Sequence, residues 1–441
     1  MKILATIGPE TIKSENLKYI LKNTNFVRLN SSHNSINWHK SAIKSIRKFN
    51  PYSLILVDFP GVKPRTQNKE SIKVIKNEVI AFAFNKRVKG KCIQLTRALP
   101  KLFKKSLFSL DDGKIIFKTV KFEKNIIFGK ALNDCVIKPR KGLNIPGSIY
   151  NDKMQEKIYF KYFEMFKTAK INAVGLSFVQ NKNVIEKIKK KFPNILLVSK
   201  IENSEGLKNA EEISKFSDAI MIDRGDLSAE IGDHKLYDAI IRISHFSKMF
   251  GKPLIMATEN LETMYKTNHP SKNDIISLGF AKQINSDIIM LSEETAISKN
   301  WKKIILWLNK FLNKNISKIK SNPSNHIFWQ TVDTIRDYPL VVFTKKGLML
   351  DKIFRKNIRN SVYIFTDTLK TLAVSSLYKN ANCFLTTKFD NKNINKFYYK
   401  YIKQYKKYIF KNNRQAFLIT ISFPKKGATA NTLSLINKKD I

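Results

Sequence analysis

Short apolar runs alternate along the chain with segments of helical periodicity. Eight such runs cover residues 3–8, 26–30, 54–58, 173–178, 195–200, 219–223, 253–258 and 287–292. Between them, segments such as 183–192 and 207–216 carry apolar residues three and four positions apart, as amphipathic helices do. Near-continuous apolar strands that alternate with helices predict an α/β fold with a (β/α)8 TIM barrel. A doubly wound open sheet is the alternative.

Polar residues cluster at the carboxyl ends of these runs. They are Arg28, Asn30, Ser32, Asp58, Ser177, Lys200, Glu202, Asp226, Thr258, Ser292 and Glu294. In a closed barrel all of these ends share one rim, which is where barrel enzymes build their active sites. Random surface polarity would not favour one end of the runs, so the pattern favours the barrel over the open sheet.

Two opposite charges end the fifth run, where Lys200 and Glu202 stand two positions apart. Residues i and i+2 of an extended chain share a face, so the ammonium and the carboxylate are expected to point the same way. Taken alone, this pattern favours a weak surface ion pair at a solvated strand end. The polar residues at the other strand ends turn the pair into a candidate for chemistry.

A metal site and an anion site are predicted from the same rim. Glu202 and Asp226 are expected at the ends of neighbouring strands, and two carboxylates with open coordination positions suit Mg²⁺. A carboxylate pair held only by nearby Lys and Arg is the structural alternative. Arg28, Arg65 and Lys200 would neutralise a transferring phosphoryl group. The sequence has no Walker-type loop and no evident Ser/His/Asp or Cys/His arrangement.

The segment DRGDLSAEI, residues 223–231, supplies a further binding element. Gly225 lets the backbone approach a ligand closely, and the N–H groups that begin the following turn would bind a carboxylate. An ordinary turn glycine is the alternative.

An insertion and a second domain interrupt and follow the barrel pattern. Alternating segments at 79–84, 107–117 and 125–132, with a DDG turn signal at 111–113, predict a small inserted β-barrel that acts as a lid. A helix at 301–316, a linker at 321–326 and apolar runs at 340–344, 362–366, 383–387 and 416–423 predict a C-terminal α/β domain. The expected division is 1–65 and 138–320 for the barrel, 66–137 for the lid and 327–441 for the last domain.

Charge is the most unusual feature of the composition. The chain has 80 Lys and Arg against 35 Asp and Glu, a formal net charge of +45 that would attract nucleic acid, membranes and anionic metabolites. The basic residues are spread along the whole chain together with Asn, Ile and Phe. This distribution favours the codon bias of an AT-rich genome over a nucleic-acid partner.

Cysteine usage and the absence of apolar segments predict a cytoplasmic protein. Cys92, Cys135 and Cys383 are far apart and lack CxxC spacing, which suggests neither a disulfide framework nor a zinc site. The first residues form no signal-peptide core, and no apolar stretch of about 18 residues indicates a membrane span.

The motifs together resemble those of the pyruvate kinase family over nearly the full chain. The matching segments are TIGPET (6–11), RLNSSH (28–33), KGLNIPG (141–147), SKIENSEG (199–206), IMIDRGDLSAEI (220–231), GKPLIMATENLETM (251–264) and IIMLSEETA (288–296). The resemblance implies a barrel, a lid and a C-terminal domain assembled as a homotetramer. It also implies phosphoryl transfer from phosphoenolpyruvate to ADP, which gives pyruvate and ATP.

The resemblance assigns a role to each rim residue. It implies that Glu202 and Asp226 bind Mg²⁺ and that Lys200 stabilises the phosphoryl group in transfer. It implies phosphate contacts for Arg28 and Arg65, substrate-carboxylate contacts for the Gly225 and Asp226 backbone, and a role near the enolate for Thr258. Nucleotide contacts are implied for Asn30, His33, Arg65 and Lys141, with a second Mg²⁺ that arrives with ADP.

One departure from the family concerns a monovalent cation. The family's DTKGPEIRT reads DFPGVKPRT here, at residues 58–66. The family's K⁺ site corresponds to Asn30, Ser32, Asp58 and Phe59, and members with a lysine at position 63 do not need K⁺. The resemblance therefore implies a K⁺-independent enzyme. A catalytically degenerate protein that keeps the fold for a binding or structural role is the alternative.

Overall fold

The barrel closes through eight parallel strands. In the computed structural model, which describes all residues except 25, 87, 101–106, 112, 314–330, 333, 336, 356–357, 359, 391 and 421–431, each strand pairs with the next and the eighth pairs with the first. The strands are Lys2–Thr6, Phe26–Asn30, Leu54–Phe59, Ala173–Leu176, Leu196–Ile201, Ala219–Asp223, Leu254–Ala257 and Ile288–Leu291. The predicted (β/α)8 barrel is confirmed, and the open-sheet alternative is wrong.

Helices follow the strands and pack around the barrel. They are Ser14–Asn23, Ile36–Phe49, Asp152–Phe166, Lys182–Lys191, Ser204–Lys208, Ala210–Phe216, Arg224–Ile231, Leu236–Met249, Glu262–Lys266, Lys272–Gln283, Glu293–Ala296 and Trp301–Leu312, with a short 3-10 turn at Asp233–Lys235. Side chains at the N-cap start several of them. Asn151, Asn181 and Asn203 each accept a hydrogen bond from a backbone N–H of the first turn.

Alternation along each strand separates an apolar interior from a charged rim. Side chains at Leu54 and Leu56, and at Val198 and Met221, belong to the core inside the barrel. Two positions further along the same strands, and so on the same face, come the charged residues Asp58, Lys200 and Asp223. The interior is therefore apolar at its base and charged at the carboxyl ends of the strands.

The insertion between the third and fourth barrel strands is made of two sheets. Its strands are Ile72–Val74, Val79–Ala83, Cys92–Gln94, Leu107–Leu110, Ile115–Glu123, Ile126–Ala131, Cys135–Ile137 and Leu143–Asn144. Six form one sheet, and the first and seventh pair separately. The hairpin predicted at 111–113 is present, with Asp111 and Gly113 at positive φ. The named strands leave the larger sheet open, but backbone bridges from Arg65 to Gly142 and from Thr66 to Leu95 join residues 65–66 to both of its edges, as the predicted β-barrel requires.

A five-stranded sheet lies in the C-terminal part of the chain. Its strands, in spatial order, are Ala381–Leu385, Val362–Thr366, Leu340–Phe343, Gln415–Thr420 and Thr432–Asn437. Helices are Leu348–Arg355, Leu369–Ser376, Ile394–Gln404 and Lys406–Ile409, followed by a 3-10 turn at Lys438–Asp440. The last strand is antiparallel and was missed, because its six residues have no long apolar run. The predicted linker at 321–326 lies outside the described residues.

Within the described part of the chain, no helix is long and apolar enough to cross a membrane.

Phe59 anchors the third strand from outside the barrel. Its ring is 0% exposed and contacts Tyr162, Phe163 and Phe166 of the helix Asp152–Phe166. We expect Phe59→Ala to cost about 3–5 kcal/mol of the free energy of unfolding, because it leaves a cavity beneath this helix. Thermal unfolding of the purified protein measures the loss. Tyr52→Ala is the control, since Tyr52 is 84% exposed, and equal midpoints for the two variants would contradict the expectation.

Candidate active site

Lys200 lies at the centre of the charged rim. Its ammonium is buried and lies 3.3 Å from Asp58 Oδ2, 2.7 Å from Glu202 Oε1 and 3.2 Å from Asp223 Oδ2. Burial alone would lower the pKa of Lys200, but the three carboxylates raise it well above its ordinary value. The lysine therefore stays charged and is a fixed cation of the rim.

Arg28 and Asp58 join the second and third strands at the same level. Nε and Nη2 of Arg28 donate to Asp58 Oδ2 at 3.0 and 2.7 Å, and Nη1 donates to Thr6 Oγ1 at 3.0 Å. Burial opposes the charge of Asp58, but Lys200 and Arg28 outweigh burial and lower the pKa of its carboxyl. Asp58 thus orients two of the predicted phosphate-binding cations.

Glu202 is buried, and its two carboxylate oxygens have different partners. Its Oε2 accepts a 2.6 Å hydrogen bond from the N–H of Phe178, a residue held at a φ of 60°. Its Oε1 lies 2.7 Å from the Lys200 ammonium, within hydrogen-bond distance, and has no other partner among the described residues. Burial raises the pKa of Glu202 to about 8, with Asp226 and Asp223 adding to the rise against the opposing effect of Lys200. Three carboxylates therefore share the charge of the Lys200 ammonium.

Asp226 meets Lys63 at the edge of the same pocket. The Lys63 ammonium donates directly to Asp226 Oδ1, and the lysine is itself buried. Burial opposes the charge of Asp226, but Lys63 and Lys200 lower the pKa of its carboxyl. Lys63 therefore contributes a fixed positive charge beside one of the predicted metal ligands.

Asp223 was missed by the sequence analysis. It ends the sixth strand, two positions beyond Met221, so its side chain lies on the same face as the core residues inside the barrel. This spacing was the signal in the sequence that could have identified it. Carboxylate oxygens from Glu202, Asp223 and Asp226 lie within 4.8 Å of one another. Three clustered carboxylates fit a hard divalent cation such as Mg²⁺.

Thr258 and Gly225 meet on the adjacent strand ends. The N–H of Gly225 donates to Thr258 Oγ1 at 3.1 Å, so this predicted donor to a substrate carboxylate has an internal partner. Thr258 has a φ of 58°, an unusual conformation for a β-branched residue. Arg224 supports this loop by donating to the carbonyl of Thr258 and to Asn260 Oδ1.

The predicted nucleotide residues surround the entrance to the pocket. Asn30 Oδ1 accepts from the N–H of Ser32, and Arg65 donates to the carbonyl of Arg140. Lys141 forms a 2.6 Å ion pair with Asp111 of the insertion. Partial burial and nearby cations lower the pKa of His33; the cations are Arg65, Arg28, Arg140 and Lys141. The entrance is thus positively charged.

The four residues that the family resemblance implies as ligands of a monovalent cation differ in the side-chain oxygens that they can provide. Asp58 is bound by Arg28 and Lys200, and the Phe59 side chain is buried against aromatic rings without an oxygen to offer. Asn30 and Ser32 lie half-buried at the rim.

Glu230 connects the helix that carries Asp226 to the end of the insertion. Its Oε1 accepts from Asn144 Nδ2 at 3.0 Å and from the Tyr150 hydroxyl at 2.8 Å. Burial raises its pKa from 4.5 to about 7, against the opposing effect of Lys63. The folded protein therefore binds this proton more tightly than the unfolded chain does.

We expect the stability that protonated Glu230 contributes to be fully present below about pH 4.5 and lost as the pH rises to about 7. Glu230→Gln stays neutral, so its melting temperature relative to the parent should rise between pH 5 and pH 8. Thermal unfolding at both values measures the difference. The exposed Glu211→Gln is the control, and an offset for Glu230→Gln that does not change with pH would contradict the assignment.

The closed barrel with a charged rim at the carboxyl ends of its strands is that of a (β/α)8-barrel enzyme. Residues 1–302 match the family described as pyruvate kinase, barrel domain. The chain belongs to the pyruvate kinase family, whose members are phosphotransferases.

Three relatives illustrate how far the similarity extends. A pyruvate kinase of Encephalitozoon cuniculi is 33% identical over 309 residues, covering 67% of this chain and 71% of that protein. One of Buchnera aphidicola is 33% identical over 346 residues, or 74% and 72% of the two chains. One of Thermotoga maritima is 27% identical over 467 residues, covering 99% of this chain and 98% of that protein.

Proposed function

We propose that this protein transfers the phosphoryl group of phosphoenolpyruvate to ADP in an Mg²⁺-dependent reaction that gives pyruvate and ATP. The observation that carries the proposal is the buried Lys200 ammonium, set among Asp58, Glu202 and Asp223 with Arg28 beside it. Family membership supports the same reaction. The pathway step is the last reaction of glycolysis.

The chemistry requires fixed positive charge where the phosphoryl group moves. A P–O bond of phosphoenolpyruvate breaks and a new one forms to an oxygen of the terminal phosphate of ADP, while negative charge spreads over the phosphoryl oxygens. Lys200 and Arg28 neutralise this charge in a buried, low-dielectric pocket, where such interactions are strong. Arg65 assists from the rim, and Thr258 lies near the enolate as it takes up a proton to become pyruvate.

Glu202 and Asp226 would hold Mg²⁺, which supplies positive charge to the substrate oxygens when bound. The backbone of Gly225 and Asp226 would bind the substrate carboxylate, with Thr258 releasing the Gly225 N–H. Asn30, His33, Arg65 and Lys141 would contact ADP, which brings a second Mg²⁺. We further propose a cytoplasmic homotetramer, in which the positive charge serves no nucleic-acid partner.

We expect Lys200→Ala to lower kcat by about 10²–10³-fold or more, because it removes a fixed cation from the transferring group. Pyruvate formation from phosphoenolpyruvate, ADP and Mg²⁺ measures the effect. Lys208→Ala is the matched control, since that side chain is 74% exposed. Lack of turnover in the parent protein would reject the proposal and favour a degenerate member with a binding role.

We expect the parent to be active without K⁺, because the Lys63 ammonium supplies a charge within the pocket. Lys63→Gln should lose on the order of tenfold or more in rate without K⁺ and regain part of it when K⁺ is added. Initial rates in K⁺-free and K⁺-containing buffers of equal ionic strength test this. Lys121→Gln, in the insertion, is the control, and an absolute K⁺ requirement in the parent would contradict the expectation.

A further inference from the structure

We propose that Asp223 is a third carboxylate ligand of the divalent-cation site formed by Glu202 and Asp226. The proposal rests on the proposed function for the existence of that site. It goes further by assigning the metal an additional ligand from the end of the sixth barrel strand.

The backbone directs Asp223 into the pocket. Ala219 and Met221 of the same strand belong to the core inside the barrel. Asp223 lies two positions beyond Met221 and therefore on the same face of the strand. In the barrel sheet Asp223 pairs with Ala257 of the seventh strand, whose small side chain leaves room beside the carboxylate. The residue is only 6% exposed. A carboxylate placed there needs positive charge, because burial without it is costly.

The oxygen positions suit one shared ion. Carboxylate oxygens of Glu202, Asp223 and Asp226 lie within 4.8 Å of one another. Oxygen ligands of Mg²⁺ lie about 2.0–2.1 Å from the ion, so opposite ligands are about 4 Å apart. Small side-chain adjustments are enough to bring all three oxygens onto one cation.

A second observation points to a missing cation in the same place. Glu202 is fully buried, and its Oε1 has only the Lys200 ammonium, at 2.7 Å, as a partner among the described residues. The Lys200 ammonium nearest to it is shared with Asp58 and Asp223. Arg28 neutralises Asp58, which leaves one ammonium between Glu202 and Asp223. A divalent ion bound by both carboxylates supplies the missing charge.

The test measures metal binding by the full-length protein without substrates. Mn²⁺ is titrated into the parent and into Asp223→Asn, and the signal of free Mn²⁺ is followed by electron paramagnetic resonance. We expect at least tenfold weaker binding in Asp223→Asn, and affinity closer to the parent in Asp223→Glu, which keeps a carboxylate. Melting temperatures establish that each variant is folded, and Asp223→Ala replaces Asp223→Asn if the latter is not.

Two controls separate ligation from charge and from damage to the strand. Asp58→Asn removes one negative charge beside Lys200 without removing any of the three oxygens, and it should weaken Mn²⁺ binding less than Asp223→Asn does. Asp218→Asn changes a carboxylate at the opposite end of the same strand, where it pairs with Lys189 at 2.9 Å. It should leave Mn²⁺ affinity within twofold of the parent.

The outcomes distinguish this inference from the proposed function. Parent-like Mn²⁺ affinity in Asp223→Asn overturns the inference while leaving the metal site of Glu202 and Asp226 intact. Parent-like Mn²⁺ affinity together with a reduced kcat in Asp223→Asn also overturns the inference, since Asp223 would then act only by positioning Lys200. If the parent turns over substrates with Mg²⁺ but Asp58→Asn and Asp223→Asn lose Mn²⁺ affinity equally, the inference is overturned as well. A parent that binds no Mn²⁺ rejects the proposed metal site itself.

Discussion

The buried ammonium of Lys200 is the constraint on which the rest of the site depends. A lysine removed from water loses its charge unless anions surround it, and here Asp58, Glu202 and Asp223 approach it from three different strand ends. These carboxylates in turn need cations, which brings Arg28 onto Asp58. The result is one connected group of charges that fixes the relative positions of several strands.

The barrel makes such a group tolerable by confining it to one level. Below the charges, the interior is filled by residues such as Leu56, Val198 and Met221, which exclude water. Above them the rim is open to the insertion, where Lys141 pairs with Asp111. Low polarity beneath the charges strengthens each ion pair and makes unneutralised charge costly. This explains why the group holds nearly balanced charge.

Strained backbone surrounds the same pocket. Phe178, Thr258 and Leu261 all have positive φ, a conformation that costs energy for such side chains. At Phe178 the strain directs an N–H onto Glu202, and at Thr258 it brings the hydroxyl to Gly225. The helix that carries Asp226 is also linked to the insertion through Glu230 and Asn144. Strand ends, loops and insertion therefore meet at one site.

The sequence by itself determined the eight strands, the helices between them and the rim. An apolar run needs burial on both faces, and a polar residue such as Asp58 or Lys200 at its end marks the edge of the core. It also placed Glu202 and Asp226 beside each other, since neighbouring strands end on neighbouring positions of a barrel. Alternation alone also fits an open sheet, and the polar residues at one end of every run favoured closure.

Only the tertiary structure decided which charges meet. In the sequence Asp223 is an ordinary polar residue beside a motif, yet it faces Lys200. The resemblance had singled out Lys63, but only the structure brings it to Asp226. Pairing in the insertion was also decided there, where residues 65–66 bridge to segments beside both edge strands of the larger sheet. The physical reason is that periodicity gives the face on which a side chain lies. The partner can lie far along the chain, as Lys63 lies 163 residues from Asp226, and its distance depends on how the whole chain packs.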